Sequence, residues 1–481
     1  MTVEIIGIVT LAVALIGIFC PPSFIVTAFF FATLLGSAAA FILESVGGLD
    51  ISPAHFLLGF VALKLFIDKT ISQRIIHAAA PGRPAFWLLL AAVYGLLSAY
   101  FMPRIFAGQT SVFPVRIYFN TVTLPLEPTM SNLSQSIYFV ADLMTFALIY
   151  GYGGSLSGYK VIGNAALACV VLNLLFAALD LVTYWTRTSD LMAFIRNANY
   201  SVMAEAEVSG LKRIVGSFAE ASVFASVTLG YFAFTFRLWL LGVRPILTSS
   251  LSFLSLLAVI FATSTAGYVG LVGFMLFVYI QTGLRAALRP VTPQMLGFMM
   301  NGPFVVLLVV IVIALNADTS RYVQNLLDTM ILDKMSTTSG LERSAWNQQA
   351  MLNFFDTFGF GVGLGSLRAS SFPIVVLASF GLVGTSIFGL FFINLLFSRP
   401  TKQPAFSMEE ATRQAAKSAC IAWLITQAVA GALTDLGVSF YAFAAMACVQ
   451  PSLIGEQIAV PDSQRQRRTM SLASGGLGSS W

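Results

Sequence analysis

Three stretches of this chain put cations, amides and a carboxylate where an anion could be held. In "LKRIVGSFAEAS", from Leu211, Lys212 and Arg213 precede Glu220 at roughly helical intervals. In "SGLERSAWNQQAMLNFF", Ser339 and Glu342 have capping-box spacing, which predicts a helix capped by Ser339 with Arg343 in its first turn. Trp346 and Asn347 follow one turn on, along the same side. In "FGFGVGLGSLRASSF", glycines occupy alternate positions from Gly359 to Gly365, with Arg368 behind them. A guanidinium grips phosphate oxygens with a planar fork of donors, and a helix start offers free N–H groups to the same anion. A carboxylate beside them can hold a hydroxyl or take its proton.

Each stretch also has a plainer reading. Arg343 can pair with Glu342 or a lipid headgroup, and Trp346 can anchor at a membrane interface instead of stacking on a sugar. Arg213 and Glu220 can form a simple ion pair. The glycines can pack one helix against its neighbour or let backbone approach a ligand. A nucleotide loop is excluded, because neither the Gly-Lys-Ser/Thr sequence nor its spacing is present.

The elements that must position these residues are membrane spans. Hydrophobic residues make up 57% of the 481 and charged residues 10%, with mean hydropathy +0.85. Such a chain cannot clothe a soluble surface of this size, so the expected fold is an all-α polytopic membrane protein. Apolar runs predict spans at roughly 4–20, 23–43, 51–67, 85–102, 133–152, 160–184, 216–236, 246–263, 266–283, 298–317, 371–397, 414–432 and 435–450, about twelve to thirteen in all. No positive n-region precedes the first run, which reads as a retained span. Cys20, Cys169, Cys420 and Cys448 lie in or beside apolar runs and read as packing residues, with no metal-ligand spacing and no implied cofactor.

Lys and Arg set the orientation. Lys69, Arg74 and Arg83, then Arg237 and Arg244, Arg285 and Arg289, Arg399, Lys402, Arg413 and Lys417, and tail residues Arg465, Arg467 and Arg468 all fall on one side, expected to be the cytoplasm. The opposite side receives segments of about 103–132, 185–215 and 318–370, so the transmembrane domain (1–450) carries its hydrophilic mass outward. The last of these predicts an amphipathic surface helix through "DTSRYVQNLLDTMILDKM". Residues 451–481 are expected to be a disordered cytoplasmic tail. No internal repeat is visible, and charge gathers in the outer segments, which speaks against a transporter of repeated halves. Nothing in the charge pattern suggests a nucleic-acid partner.

At these motifs the chain resembles the O-antigen ligase and O-antigen/exopolysaccharide polymerase superfamily. "SGLERSAWNQQAMLNFFDTFGFGVGLGSLRASS" with the following "SFGLVG" is similar to that family's large outer loop, and "KRIVGSFAEAS" to its earlier outer-loop signature. The resemblance implies a bacterial inner-membrane glycosyltransferase of GT-C type. Its periplasmic active site would use a polyprenyl-diphosphate-linked glycan, without nucleotide sugar or metal. It implies that Arg213 and Arg343 bind the donor diphosphate, with Arg368 as a third candidate and Trp346, Asn347 and Lys212 contributing to substrate binding. Membrane lipids, a flippase and a chain-length regulator of the same pathway would be its partners.

One departure is informative. Ligases of the family carry a histidine shortly after the glycines, where this chain reads "RASSF", and neither His55 nor His77 falls in an outer segment. That favours a polymerase-like member in which Glu220 orients or deprotonates the acceptor hydroxyl. A ligase moving glycan onto lipid or protein, and a lipid-linked glycan flippase or other transporter, are the alternatives.

Overall fold

The computed structural model describes residues 2–43, 49–115, 122–198, 203, 205–208, 210–288, 290–328, 338–398 and 407–451. Most of them are helical. The first helices are α1 (Ile5–Phe19), α2 (Pro22–Ala32), α3 (Pro53–Phe66), the short amphipathic α4 (Lys69–Ala78) and α5 (Pro84–Ile105). Then come α6 (Met130–Gly153), α7 (Leu156–Trp185), α8 (Ala221–Leu240), α9 (Pro245–Phe261), α10 (Thr265–Leu288) and α11 (Pro293–Leu315). The chain continues through α12 (Ala317–Leu327), α13 (Thr338–Asp356), α14 (Phe372–Leu396), α15 (Met408–Ala430) and α16 (Val438–Cys448). Prolines at the first turn mark many of the starts. Ser52 caps α3 and Thr292 caps α11 through side-chain oxygens, ahead of Pro53 and Pro293.

Among the described residues seven helices are long and apolar enough to cross a membrane: α5, α6, α7, α8, α10, α11 and α14. This is fewer than the twelve to thirteen spans expected. Helices α1, α2, α3, α9 and α16 are apolar but shorter, and α15 opens with Glu409, Glu410, Arg413 and Lys417. The expected span at 23–43 is cut short, because α2 ends at Ala32 and Phe41–Leu43 forms a strand.

Burial ranks the helices. The apolar window of α8 is 83% buried and that of α11 is 0% buried, so α8 is the central post and α11 the outermost element. α8 packs on α9 and α15, and Gly230 lets the Trp423 indole lie directly on its backbone. Around this contact Tyr231, Trp423, Phe440 and Phe443 form an edge-to-face aromatic cluster.

The two ends of the bundle differ. At one, Gln414 accepts from Arg237 (3.4 Å) and Arg285 (2.9 Å), and Arg413 makes a two-pronged buried ion pair with Glu410 at 2.8 and 2.6 Å. Basic residues from three expected loops therefore meet there. At the other end the three expected outer segments interlock. They contain two small antiparallel sheets, joining β4 (Ser111–Val112) with β5 (Leu124–Pro125) and β6 (Glu207–Val208) with β7 (Leu211–Lys212), while β1 (Thr2–Val3), β2 (Phe41–Leu43) and β3 (Leu49–Ile51) form a third sheet near the start of the chain. A 3-10 helix at Ser189–Ile195 lies among them.

The amphipathic helix expected after residue 317 is present as α12, capped by Asn316. Its expected continuation at 329–337 and the tail at 452–481 lie outside the described residues. α13 runs from Thr338, so Ser339 sits inside the helix and Arg343 lies in its second turn, not its first.

Candidate functional site

The loop leading into α8 is organised by one buried carboxylate. Asp180, on α7 and 1% exposed, accepts from the backbone N–H of Val215 (2.8 Å) and Gly216 (3.1 Å) and from Lys212 Nζ (3.4 Å) through Oδ2. Its Oδ1 takes Arg196 Nη2 at 2.7 Å. A carboxylate this deep is tolerated only with partners, and here it has two cations and two amides. Lys212 is thereby committed: it also donates to the Arg213 carbonyl at 2.6 Å and sits 5.5 Å from the centre of the Tyr184 ring. The expected substrate-binding role of Lys212 gives way to a structural one, because charge compensation for Asp180 takes up its ammonium group. Burial pushes its pKa down, with Asp180 opposing.

Arg213, the next residue, points the other way. Its backbone N–H is held by the Ala206 carbonyl at 3.0 Å, while its side chain enters a cleft of about 450 Å³. Its buried Nε has no partner among the described residues. Glu220, just ahead of α8, lines the same cleft and accepts from Ser222 Oγ at 2.9 Å. No direct ion pair joins Arg213 to Glu220 among the described residues, so the simple-pair reading does not hold.

The second wall is α13, pinned to the 103–132 segment. Asn353 Nδ2 donates to Thr110 Oγ1 (2.8 Å) and the Ser111 carbonyl (2.6 Å), and Gln349 reaches the same carbonyl at 2.7 Å. This sets Arg343 and Trp346 against the cleft. Trp346 is 7% exposed and carries the Arg368 guanidinium on its ring at 4.0 Å. It is a platform for an arginine, neither a free anchor in lipid nor an open face for a sugar. Asn347 Oδ1 accepts from Ser370 N at 2.7 Å, which fixes the chain just after Arg368. Asn347 thus positions Arg368 and does not line the cleft.

The alternating glycines lie elsewhere. Val362 N and Gly363 N donate to Ala378 and Ser379 carbonyls at 2.9 and 3.0 Å, and Leu382 N donates back to the Gly359 carbonyl at 2.9 Å. These bonds fill a break in α14 at Gly381, whose φ is 62°. Gly361 and Gly363 have φ of 83° and 94°, and a Cβ would stand 2.6 Å from Gly381 N and 2.5 Å from the Ser98 carbonyl oxygen respectively. The close backbone approach that the sequence suggested is real, but its partner is the protein's own backbone. The stretch braces the broken α14 against α5.

Three arginines from two outer segments, Arg213 from one and Arg343 and Arg368 from the other, therefore share one cleft with Glu220, Glu342 and Asp435. Burial lowers the pKa of Arg213 and Arg368 from the usual arginine value. Glu220 raises both, and repulsion from Arg343 lowers both. The three guanidinium groups are held together against their mutual repulsion. An anion of two or more charges would relieve that strain.

Sequence reasoning missed the residues behind this cleft. Asp435, in the turn between α15 and α16, lines it, and so do Gln427 and Ser264. An adjoining arm of about 610 Å³ shares Glu220, Arg368 and Asp435 and adds His55, Gln135 and Tyr138. His55, remote from the outer segments in sequence, is thus brought to the site. Asp142, 1% exposed on α6, lies near Asp435, and neither of its carboxylate oxygens has a hydrogen-bond donor among the described residues. A scan for ionisable residues inside apolar runs would have flagged Asp142. Among the described residues no group of three or more His, Cys, Asp or Glu side chains could hold a metal ion. No family profile, curated protein or solved structure matches the chain.

Proposed function

We propose that this protein is a multi-pass glycosyltransferase of the bacterial inner membrane. It would transfer a polyprenyl-diphosphate-linked glycan onto the next repeat unit at the periplasmic face, as a surface or exopolysaccharide polymerase. The observation that carries this reading is the meeting of Arg213, Arg343 and Arg368 with Glu220 in one half-enclosed cleft. Loss of a diphosphate builds negative charge on the leaving oxygens, and fixed guanidinium groups stabilise that charge most where water is scarce. In the proposed reaction the bond from the anomeric carbon to the diphosphate breaks as an acceptor hydroxyl attacks. Glu220, beside the cations, accepts the hydroxyl proton. The basic cluster at the far end of the bundle supports a cytoplasmic placement for that end.

Gene deletion followed by gel analysis of lipid-linked and secreted glycans tests the reaction class. A polymerase leaves single lipid-linked repeat units. A ligase strands full-length chains on the carrier, and a flippase traps repeat units on the cytoplasmic face. Either of the last two outcomes rejects the polymerase reading.

A further inference from the structure

The cleft continues past Glu220 into the arm of about 610 Å³, and its chemistry changes on the way. The outer arm sets three arginines among Glu220, Glu342 and Asp435; the inner arm keeps only Arg368 of the three and adds Asp50, Gln135 and His55. Asp435 and Glu220 lie on its wall, and Gln135, 6% exposed, carries a buried Oε1 with no donor among the described residues. His55 is held through Nδ1 by Ser52 Oγ at 2.7 Å, packs on the Tyr138 ring at 5.0 Å, and feels the Asp435 carboxylate.

Buried acceptors without donors call for a ligand that brings its own. A metal cation is a poor fit, because Arg368 faces the same arm and the volume is that of a small organic ligand's site. A neutral polyol suits both facts. Tyr138, Trp423 and Phe440 add apolar surface to the wall, against which C–H groups can pack. The arm meets the outer one at Glu220, the group that a reacting hydroxyl must reach.

We propose that the inner arm is the acceptor-sugar subsite, in which Asp435, Gln135 and His55 hold the hydroxyls of a pyranose so that one of them lies at Glu220. This rests on reading the outer arm as the diphosphate site. His55 and Gln135 line the inner arm alone, whereas Asp435 lines both arms.

The test uses the full chain in nanodiscs, with two readouts. Farnesyl diphosphate binding reports the outer arm, and elongation of lipid-linked repeat units, extracted from cells lacking the gene, reports transfer. His55→Gln and Gln135→Leu should cut elongation at least tenfold and leave farnesyl diphosphate affinity within twofold of wild type. Leu436→Trp, which narrows the inner arm without altering a charge, should do the same, and it stands in if either polar variant fails to fold. Normal elongation in the folded variants overturns the subsite, and so does a parallel loss of farnesyl diphosphate binding. The two proposals fail separately. If Arg343→Ala binds farnesyl diphosphate as wild type does, the donor reading is at fault, whatever the inner-arm variants show.

Discussion

Replacing Gly363 with alanine separates a bracing role for the glycine stretch from a ligand-binding one. At φ 94° an alanine adopts a backbone that L-residues avoid, costing ~1–2 kcal/mol. Its Cβ would also stand 2.5 Å from the Ser98 carbonyl oxygen and 2.9 Å from Pro103 Cδ, inside the packed α5. Moving buried backbone aside adds ~1–3 kcal/mol, for a total of roughly 2–5 kcal/mol. Gly359 is the internal control. Its φ is 80°, but the nearest atom to a Cβ is Phe354 Cζ at 3.5 Å, ordinary contact, so only the conformational cost of ~1–2 kcal/mol applies. Thermal unfolding of both variants in nanodiscs should rank wild type above Gly359→Ala, and Gly359→Ala above Gly363→Ala. A Gly363→Ala protein that melts like wild type yet loses farnesyl diphosphate binding would refute the bracing account. It would return the glycines to the ligand.

Other outcomes follow from the same geometry. Asp180→Ala should destabilise by ~3–5 kcal/mol, since Arg196 and Lys212 are left buried without their carboxylate. Lys212→Met should cost much less and leave transfer intact; normal stability with lost transfer would restore Lys212 to the site. Because burial lowers the Lys212 pKa below 10.5, the unfolded chain holds more protons than the folded one just under that pH. Stability should therefore gain a favourable increment as pH rises through that alkaline window, and Lys212→Met should lose the increment in a melt-versus-pH series. Arg368→Lys should bind farnesyl diphosphate more weakly than wild type, because an ammonium cannot lie flat on Trp346 as the guanidinium does. Transfer should persist in excess EDTA; its abolition, with recovery on adding a divalent ion, would contradict catalysis by arginines alone.

Much of the frame was legible because bilayer-length apolar runs and their Pro, Ser or Thr starts are local signals. The predicted runs at 85–102, 133–152 and 160–184 correspond to α5, α6 and α7. Arg213, Arg343 and Arg368 were legible as candidates because each sits in a polar outer segment, and Glu220 because a carboxylate stands out at the start of a predicted span. What local signals could not carry is partnership. Nothing beside Lys212 in sequence announces Asp180, 32 residues earlier. The same holds for His55 and Asp435, which reach one cavity from distant parts of the chain. The break in α14 was hidden because Gly381 reads as one more small residue in an apolar span. Only the pairing of 359–363 with its backbone reveals it.

The central claim is that Arg213, Arg343 and Arg368 hold the diphosphate of a lipid-linked glycan donor. It is tested most directly by elongation of lipid-linked repeat units with purified protein and no nucleotide sugar. The account predicts that the wild-type chain lengthens the glycan. Arg213→Ala and Arg343→Ala should remain folded and fall by at least a hundredfold, or ~3 kcal/mol of transition-state stabilisation. Wild-type protein that leaves the repeat units unchanged, or arginine variants that elongate them normally, would contradict it.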